Sequence, residues 1–120
     1  MLGHCAYKNL SKFNKDINVI GIVRTEKDLV HFNNKKNIKI FNDFKNFCSL
    51  KDLIKSLKPS LILNCIGLIK QKNKVSNEDF LFFNSIFPKV IEEICKNKVK
   101  IINISTDCVF NGNTGNYNEK

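Results

Sequence analysis

Apolar side chains recur along this chain in two rhythms. Leu2, Ala6, Leu10 and Phe13 are spaced by four, four and three residues, which places them on one face of a helix over about residues 2–12. Asn14, Lys15 and Asp16 end it. Residues 17–23 (Ile-Asn-Val-Ile-Gly-Ile-Val) are a β-branched run of strand length. Residues 25–36 are polar with weak periodicity and predict a loop or short helix, and residues 38–41 a short strand. Phe47, Leu50, Leu53, Ile54 and Leu57 form the apolar face of the next helix, with Ser49 as its expected cap, Asp52 as capping-box partner and Pro59 as its stop. Residues 61–66 predict a buried strand closed by Gly67, followed by a polar loop over 70–75. Ser76 opens the longest helix, with Asp79 at its third position. Phe80, Phe83, Phe87, Val90, Ile91 and Ile94 share that helix's core-facing side. Pro88 lies inside it. Proline has no N–H, so the carbonyl of Asn84 loses its helical partner there and a bend is expected. Residues 100–104 form the last strand.

The resulting order is helix, strand, strand, helix, strand, helix, strand. Strands separated by helices predict parallel βαβ units in one α/β domain over residues 1–120, with no repeat or linker dividing it. Hydrophobic content of 42% suffices for a core, and no apolar run approaches the roughly 18 residues of a membrane helix. The start Met1-Leu2-Gly3-His4 has neither the basic opening nor the apolar centre of a secretion signal, so the expectation is a cytoplasmic protein without a membrane partner.

The net charge of +9 raises the question of nucleic acid. The basic residues are spread along the chain, and all but Arg24 are lysines accompanied by abundant asparagine. A nucleic-acid reader concentrates basic residues on one face and interleaves aromatics, so a solvated basic surface is the expected reading. Cys5, Cys48, Cys65, Cys95 and Cys108 form no C-x-x-C pair, and the two histidines lie far apart. Reduced thiols are expected and no metal site, with Cys65 and Cys95 as core fillers.

The last strand runs directly into Ser105-Thr106-Asp107, followed by Cys108, Val109, Phe110 and, after one residue, Gly112. In open α/β sheets the carboxyl ends of the strands are where ligands bind. This stretch resembles the S-T-D-Y-V-F-D-G segment of dTDP-4-dehydrorhamnose reductases, members of the extended short-chain dehydrogenase/reductase superfamily. Met1-Leu2-Gly3 is similar to the end of that family's glycine-rich G-M-L-G turn. Asn64-Cys65-Ile66-Gly67 resembles its N-x-A-A/G element, and Asn84 with Pro88 its N-x-x-x-P helix. The resemblance implies a Rossmann-type doubly wound parallel sheet, here partial, lacking the first strand and the C-terminal part. It implies reduction of a keto group on a nucleotide-activated sugar, as in surface polysaccharide synthesis, with NADPH or NADH as cofactor and a homodimer as a possible full-length assembly.

By the same resemblance Thr106 is the hydroxyl that holds the substrate carbonyl oxygen, with Asp107, Cys108 and Val109 beside the sugar. Cys108 departs from the family's tyrosine and leaves the sugar open. Met1, Leu2, Gly3, Cys65, Ile66, Gly67, Asn84 and Ser105 fall on cofactor-facing positions. Arg24, after the second strand of the implied fold, suits the 2′-phosphate of NADP, so NADPH is preferred; the alternative is a solvated surface arginine. Asp43 and Phe44 fall where the family meets the adenine; the alternative is a plain turn aspartate. Tyr117 matches a loop tyrosine of the family, and the catalytic Tyr-x-x-x-Lys pair is not among the 120 residues. The implied reading is therefore an internal, inactive piece of the reductase in which Met1 is an internal methionine or a misassigned start. A cofactor-binding regulatory subunit of the same family and a nucleotide-sugar epimerase remain as alternatives. Without the first strand, the two strands beside its place either flank an open slot, leaving the chain poorly stable, or close on each other.

Overall fold

The computed structural model describes residues 2–13, 16–69 and 75–105. Helix α1 (Leu2–Phe13) leads to strand β1 (Gly21–Val23), a 3-10 helix (Glu26–His31) and strand β2 (Ile38–Ile40). Helix α2 (Phe47–Leu57) connects to strand β3 (Leu61–Asn64). Helix α3 (Asn77–Leu81) then passes through a π turn (Phe82–Ile86) into helix α4 (Phe87–Cys95), and strand β4 (Lys100–Asn103) follows. The architecture is mixed helix and strand with two small parallel sheets. β1 pairs with β2, Gly21 opposite Ile38, and β3 pairs with β4, Leu61 opposite Lys100. Among the described residues no ladder joins β1 to β3.

Strand alternation sorts the layers. Ile22 of β1, Ile62 of β3 and Ile101 of β4 all pack on one buried cluster, made of Phe44, Leu50, Phe87, Ile91 and Cys95. Successive strand residues point to opposite faces, so Gly21 and Val23 face the other way. There a Cβ on Gly21 would lie 3.2 Å from the Tyr7 ring of α1, tight enough to explain the glycine. Helices α2 and α4 thus cover one face of the strands, and α1 lies on the other. The core is aromatic: Phe44 meets Phe41 and Phe87 edge to face at centroid distances of 5.0 and 5.6 Å. Burying each such side chain contributes about 1.5–3 kcal/mol.

Several local expectations change. The strand expected over 17–23 begins only at Gly21, because pairing starts where β2 begins: the Gly21 N–H donates to Asn37. The other three strands also end one or two residues sooner than expected, although the Ile104 N–H still reaches the Asn64 carbonyl at 3.1 Å. α2 is capped by Asn46, not Ser49: its side-chain oxygen accepts from the Cys48 and Ser49 N–H groups at 3.0 and 3.1 Å. Asparagine caps as well as serine, and a turn closed by the Asn46 N–H on Asp43 delivers it first. Ser49 is already inside the helix. Ser76 caps α3 as expected, accepting from the Asp79 N–H at 3.0 Å. Just before Pro88 the helix passes through a π turn. The Phe87 N–H reaches back five residues to Phe82, and Pro88 then sits in the first turn of α4, where no N–H is required.

Candidate functional site

The carboxyl ends of the strands carry the candidate residues. Within each sheet the two strands run parallel, so their carboxyl ends lie together. β1 ends at Arg24, β3 opens into residues 65–68, and β4 leads to Ser105. α1 begins at this same end. A Cβ on Gly3 would stand 3.3 Å from the Cys65 Cβ, so the first turn of α1 sits against the end of β3 and a larger side chain would push it away. The first turn of α1 holds no acidic residue, and the early N–H groups of a helix suit an anion.

Two asparagines fix the β3 loop. Asn64 is buried; its amide donates to the Asn103 side chain at 3.0 Å, and its oxygen accepts the Ile66 N–H at 3.1 Å. The first bond ties the ends of β3 and β4 together, and the second turns the chain. Asn84, presented by the π turn, makes two bonds to one residue: its oxygen accepts the Leu68 N–H at 2.8 Å, and its amide donates to the Leu68 carbonyl at 2.9 Å. A helix residue thereby sets the position of a loop sixteen residues earlier. Gly67 lies between these anchors. Among the described residues a Cβ there would meet only Asn84 Oδ1, at an ordinary 3.8 Å.

Arg24 is exposed beside the 3-10 helix. The Asp28 carboxylate accepts the Thr25 N–H and hydroxyl at 2.9 and 3.0 Å. These bonds, with the Arg24 charge nearby, hold Asp28 below the usual carboxylate range. Burial raises the Cys65 thiol, which stays neutral at physiological pH. Arg24, Asp28, Gly3, Cys65, Ile66 and Gly67 all line one cavity of about 610 Å³ that continues between β1 and β3. That volume falls in the range of about 300–1,000 Å³ typical of ligand pockets.

Of the residues expected from sequence, Gly3, Arg24, Cys65, Ile66 and Gly67 therefore come together. Asn84 acts on this rim through Leu68. Leu2 is exposed at the start of α1, Asp43 is exposed in the turn before α2, and Ser105 is exposed after β4. Phe44 also borders the cavity, but its ring is buried in the core against Phe87. Met1, Thr106, Asp107, Cys108 and Val109 lie outside the described residues. Asn103 and Asp28 went unremarked in the sequence; the Thr25-x-x-Asp28 spacing of a capping box was the available signal for Asp28. Among the described residues no cluster of His, Cys, Asp or Glu could hold a metal ion, and no helix is long and apolar enough to cross a membrane. No protein-family model, curated protein or solved structure matches the chain.

Proposed function

We propose that this chain is the cofactor-binding part of an NAD(P)-dependent reductase acting on a keto group of a nucleotide-activated sugar, built on a Rossmann-type sheet. The observation that carries the reading is the meeting of Gly3, Cys65 and Gly67 at one strand end, with the acid-free start of α1 beside them. This set fits a dinucleotide. The early N–H groups of α1 suit a pyrophosphate. Gly67 leaves the backbone open to close approach, and Asn84 holds that loop in place through Leu68. Arg24 would suit a 2′-phosphate, and the neighbouring Asp28 carboxylate is held by the Thr25 N–H and hydroxyl. A nicotinamide cofactor supplies the hydride when bound. Thr106 is then the hydroxyl that orients the ketone, following from the Ser105-Thr106-Asp107 resemblance.

Titration of the chain with NADPH and NADH, followed by quenching or enhancement of nicotinamide fluorescence, tests this. NADPH should bind more tightly than NADH, and Arg24→Ala should abolish the difference while leaving NADH affinity unchanged. Absence of binding by both would refute the reading.

A further inference from the structure

The two histidines of this chain, far apart in sequence, meet in the structure. His4 comes from the first turn of α1, and His31 ends the 3-10 helix. Their ring centroids stand 6.5 Å apart, with the planes tilted by 44°. Phe32 braces the pair: its ring meets His4 at 4.8 Å and Tyr7 at 5.5 Å, both edge to face. Side chains three residues apart eclipse on a 3-10 helix, so His31 shares a side with Asp28. Arg24, the chain's single arginine, acts electrostatically on Asp28. His4, His31, Arg24 and Asp28 all line the same cavity.

The charges at this place do not balance. Asp28 is the only acid among the described residues that line the cavity, and its Oδ2 already accepts the Thr25 N–H and hydroxyl. Tyr7 and Cys65 are the other titratable groups of the lining, and phenols and thiols are uncharged near neutral pH. Two protonated imidazoles and Arg24, set against one carboxylate, leave two positive charges without a partner. A phosphate monoester carries a charge of about −1.5 to −2 near pH 7 and supplies what the set lacks.

We propose that His4 and His31 join Arg24 in a proton-linked clamp for the 2′-phosphate of NADP, so that the preference for NADP over NAD grows as pH falls. This clamp rests on the cofactor reading of the rim and sets its pH dependence. Arg24 is charged throughout and provides the constant part of the preference. Imidazoles take up protons between about pH 8 and pH 5 and provide the variable part. A phosphate beside them favours their charged form, and by linkage their charged form favours the phosphate.

The test titrates the full 120-residue chain by calorimetry with adenosine 2′,5′-bisphosphate and adenosine 5′-monophosphate, which differ by the 2′-phosphate alone. The ratio of their affinities should be about tenfold greater at about pH 6.5 than at about pH 8. Protonation of the phosphate itself, near pH 6, works the other way, so a rise toward acid comes from the protein. His31 is exposed, and His31→Gln should remove most of the rise while keeping the ratio at the higher pH, where Arg24 acts alone. Adding His4→Gln should leave the ratio flat or falling toward acid. The imidazole Cε1–H resonances read the protons directly. Their midpoints should climb by about one unit with the bisphosphate, a tenfold coupling, and not with the monophosphate. A ratio that does not rise toward acid, or a rise that both substitutions leave intact, would overturn the clamp and spare the cofactor reading. An equal climb with both nucleotides would assign the histidines to the 5′-phosphate and overturn it as well. Failure of both nucleotides to bind at either pH would bring down the cofactor reading and the clamp together.

Discussion

The two faces of the strands are built unequally. On the α2 and α4 side, Phe44, Leu50, Phe87, Ile91 and Cys95 are buried and Ile22, Ile62 and Ile101 pack onto them. On the α1 side, Leu2 and Leu10 are half exposed, and the helix approaches the strands with Tyr7 at Gly21 and Gly3 at Cys65. One helical stripe has found its counterpart, whereas the other borders an open groove. The buried packing resides in the first face, and the proposed function draws on the second, because an apolar surface that is already satisfied has nothing left to offer a ligand.

Paired truncations sharpen that contrast most. Phe87→Ala removes a ring only 2% exposed, in contact with Phe44 and Phe83. It should cost about 3–5 kcal/mol, most of what a marginally stable domain possesses. Leu10→Ala should change stability by less than about 0.5 kcal/mol, since its side chain has little packing to lose. Urea denaturation midpoints measure both. Equal losses would mean that α1 is packed as firmly as α4.

The two sheets differ in the same sense. β3 and β4 are joined at their last residues by the part-buried Asn64–Asn103 bond, whereas the corresponding amide bond beside β1 and β2, from Asn37 to Asn18 at 3.2 Å, is exposed. Asn64→Ala leaves the Ile66 N–H and the Asn103 oxygen without their partner and should cost about 1–3 kcal/mol. Asn18→Ala should cost about 0.5 kcal/mol or less. Melting temperatures of the two variants give the comparison directly.

A smaller effect separates the expected cap of α2 from the actual one. Asn46→Ala should destabilise by about 1 kcal/mol and Ser49→Ala by a few tenths, because only Asn46 accepts helix N–H groups. The reverse order in chemical denaturation would restore Ser49 as the cap.

The residues that misled and those that informed have a common logic. Periodicity located all four strands and the helices α1, α2 and α4, because burial against a neighbour imposes the same spacing that the chain displays. Boundaries were less legible. Nothing within residues 17–23 reveals that pairing starts at Gly21, since that depends on where β2 begins. Asn46 and Ser49 are equally good caps in isolation, and the turn from Asp43 decides between them. The missing N–H of Pro88 was visible, but whether a helix bends or widens by one residue depends on what packs around Phe82 and Phe87. At the rim, Asn84 was legible as a polar residue before a proline. Its hold on Leu68 was not, because contacts across sixteen residues leave no local trace.

Carboxylates and thiols titrate with opposite signs. Asp28, held down by the Thr25 N–H and hydroxyl, and Asp79, held down by Lys45 and then by the Ser76 hydroxyl, are both at the surface. Their folded-state pKa values are lowered, so the unfolded chain takes up protons first. The stability they contribute is complete above the ordinary carboxylate value and disappears as pH falls through the lower folded value. Cys95 and Cys65 behave oppositely, since burial raises both. Their contribution is complete below the ordinary thiol value and is lost as pH climbs through the raised one. The melting temperature should therefore fall at both extremes, on the acid side through the carboxylate clamps and on the alkaline side through the thiols and the Lys89–Glu92 pair. Asp28→Asn should flatten the acid limb and leave the alkaline limb unchanged, whereas Cys95→Ala should flatten the alkaline limb on a curve lowered throughout by the lost packing. If Asp28→Asn leaves the acid limb as steep as before, the Thr25 clamp contributes nothing there and Asp28 is an ordinary solvated carboxylate.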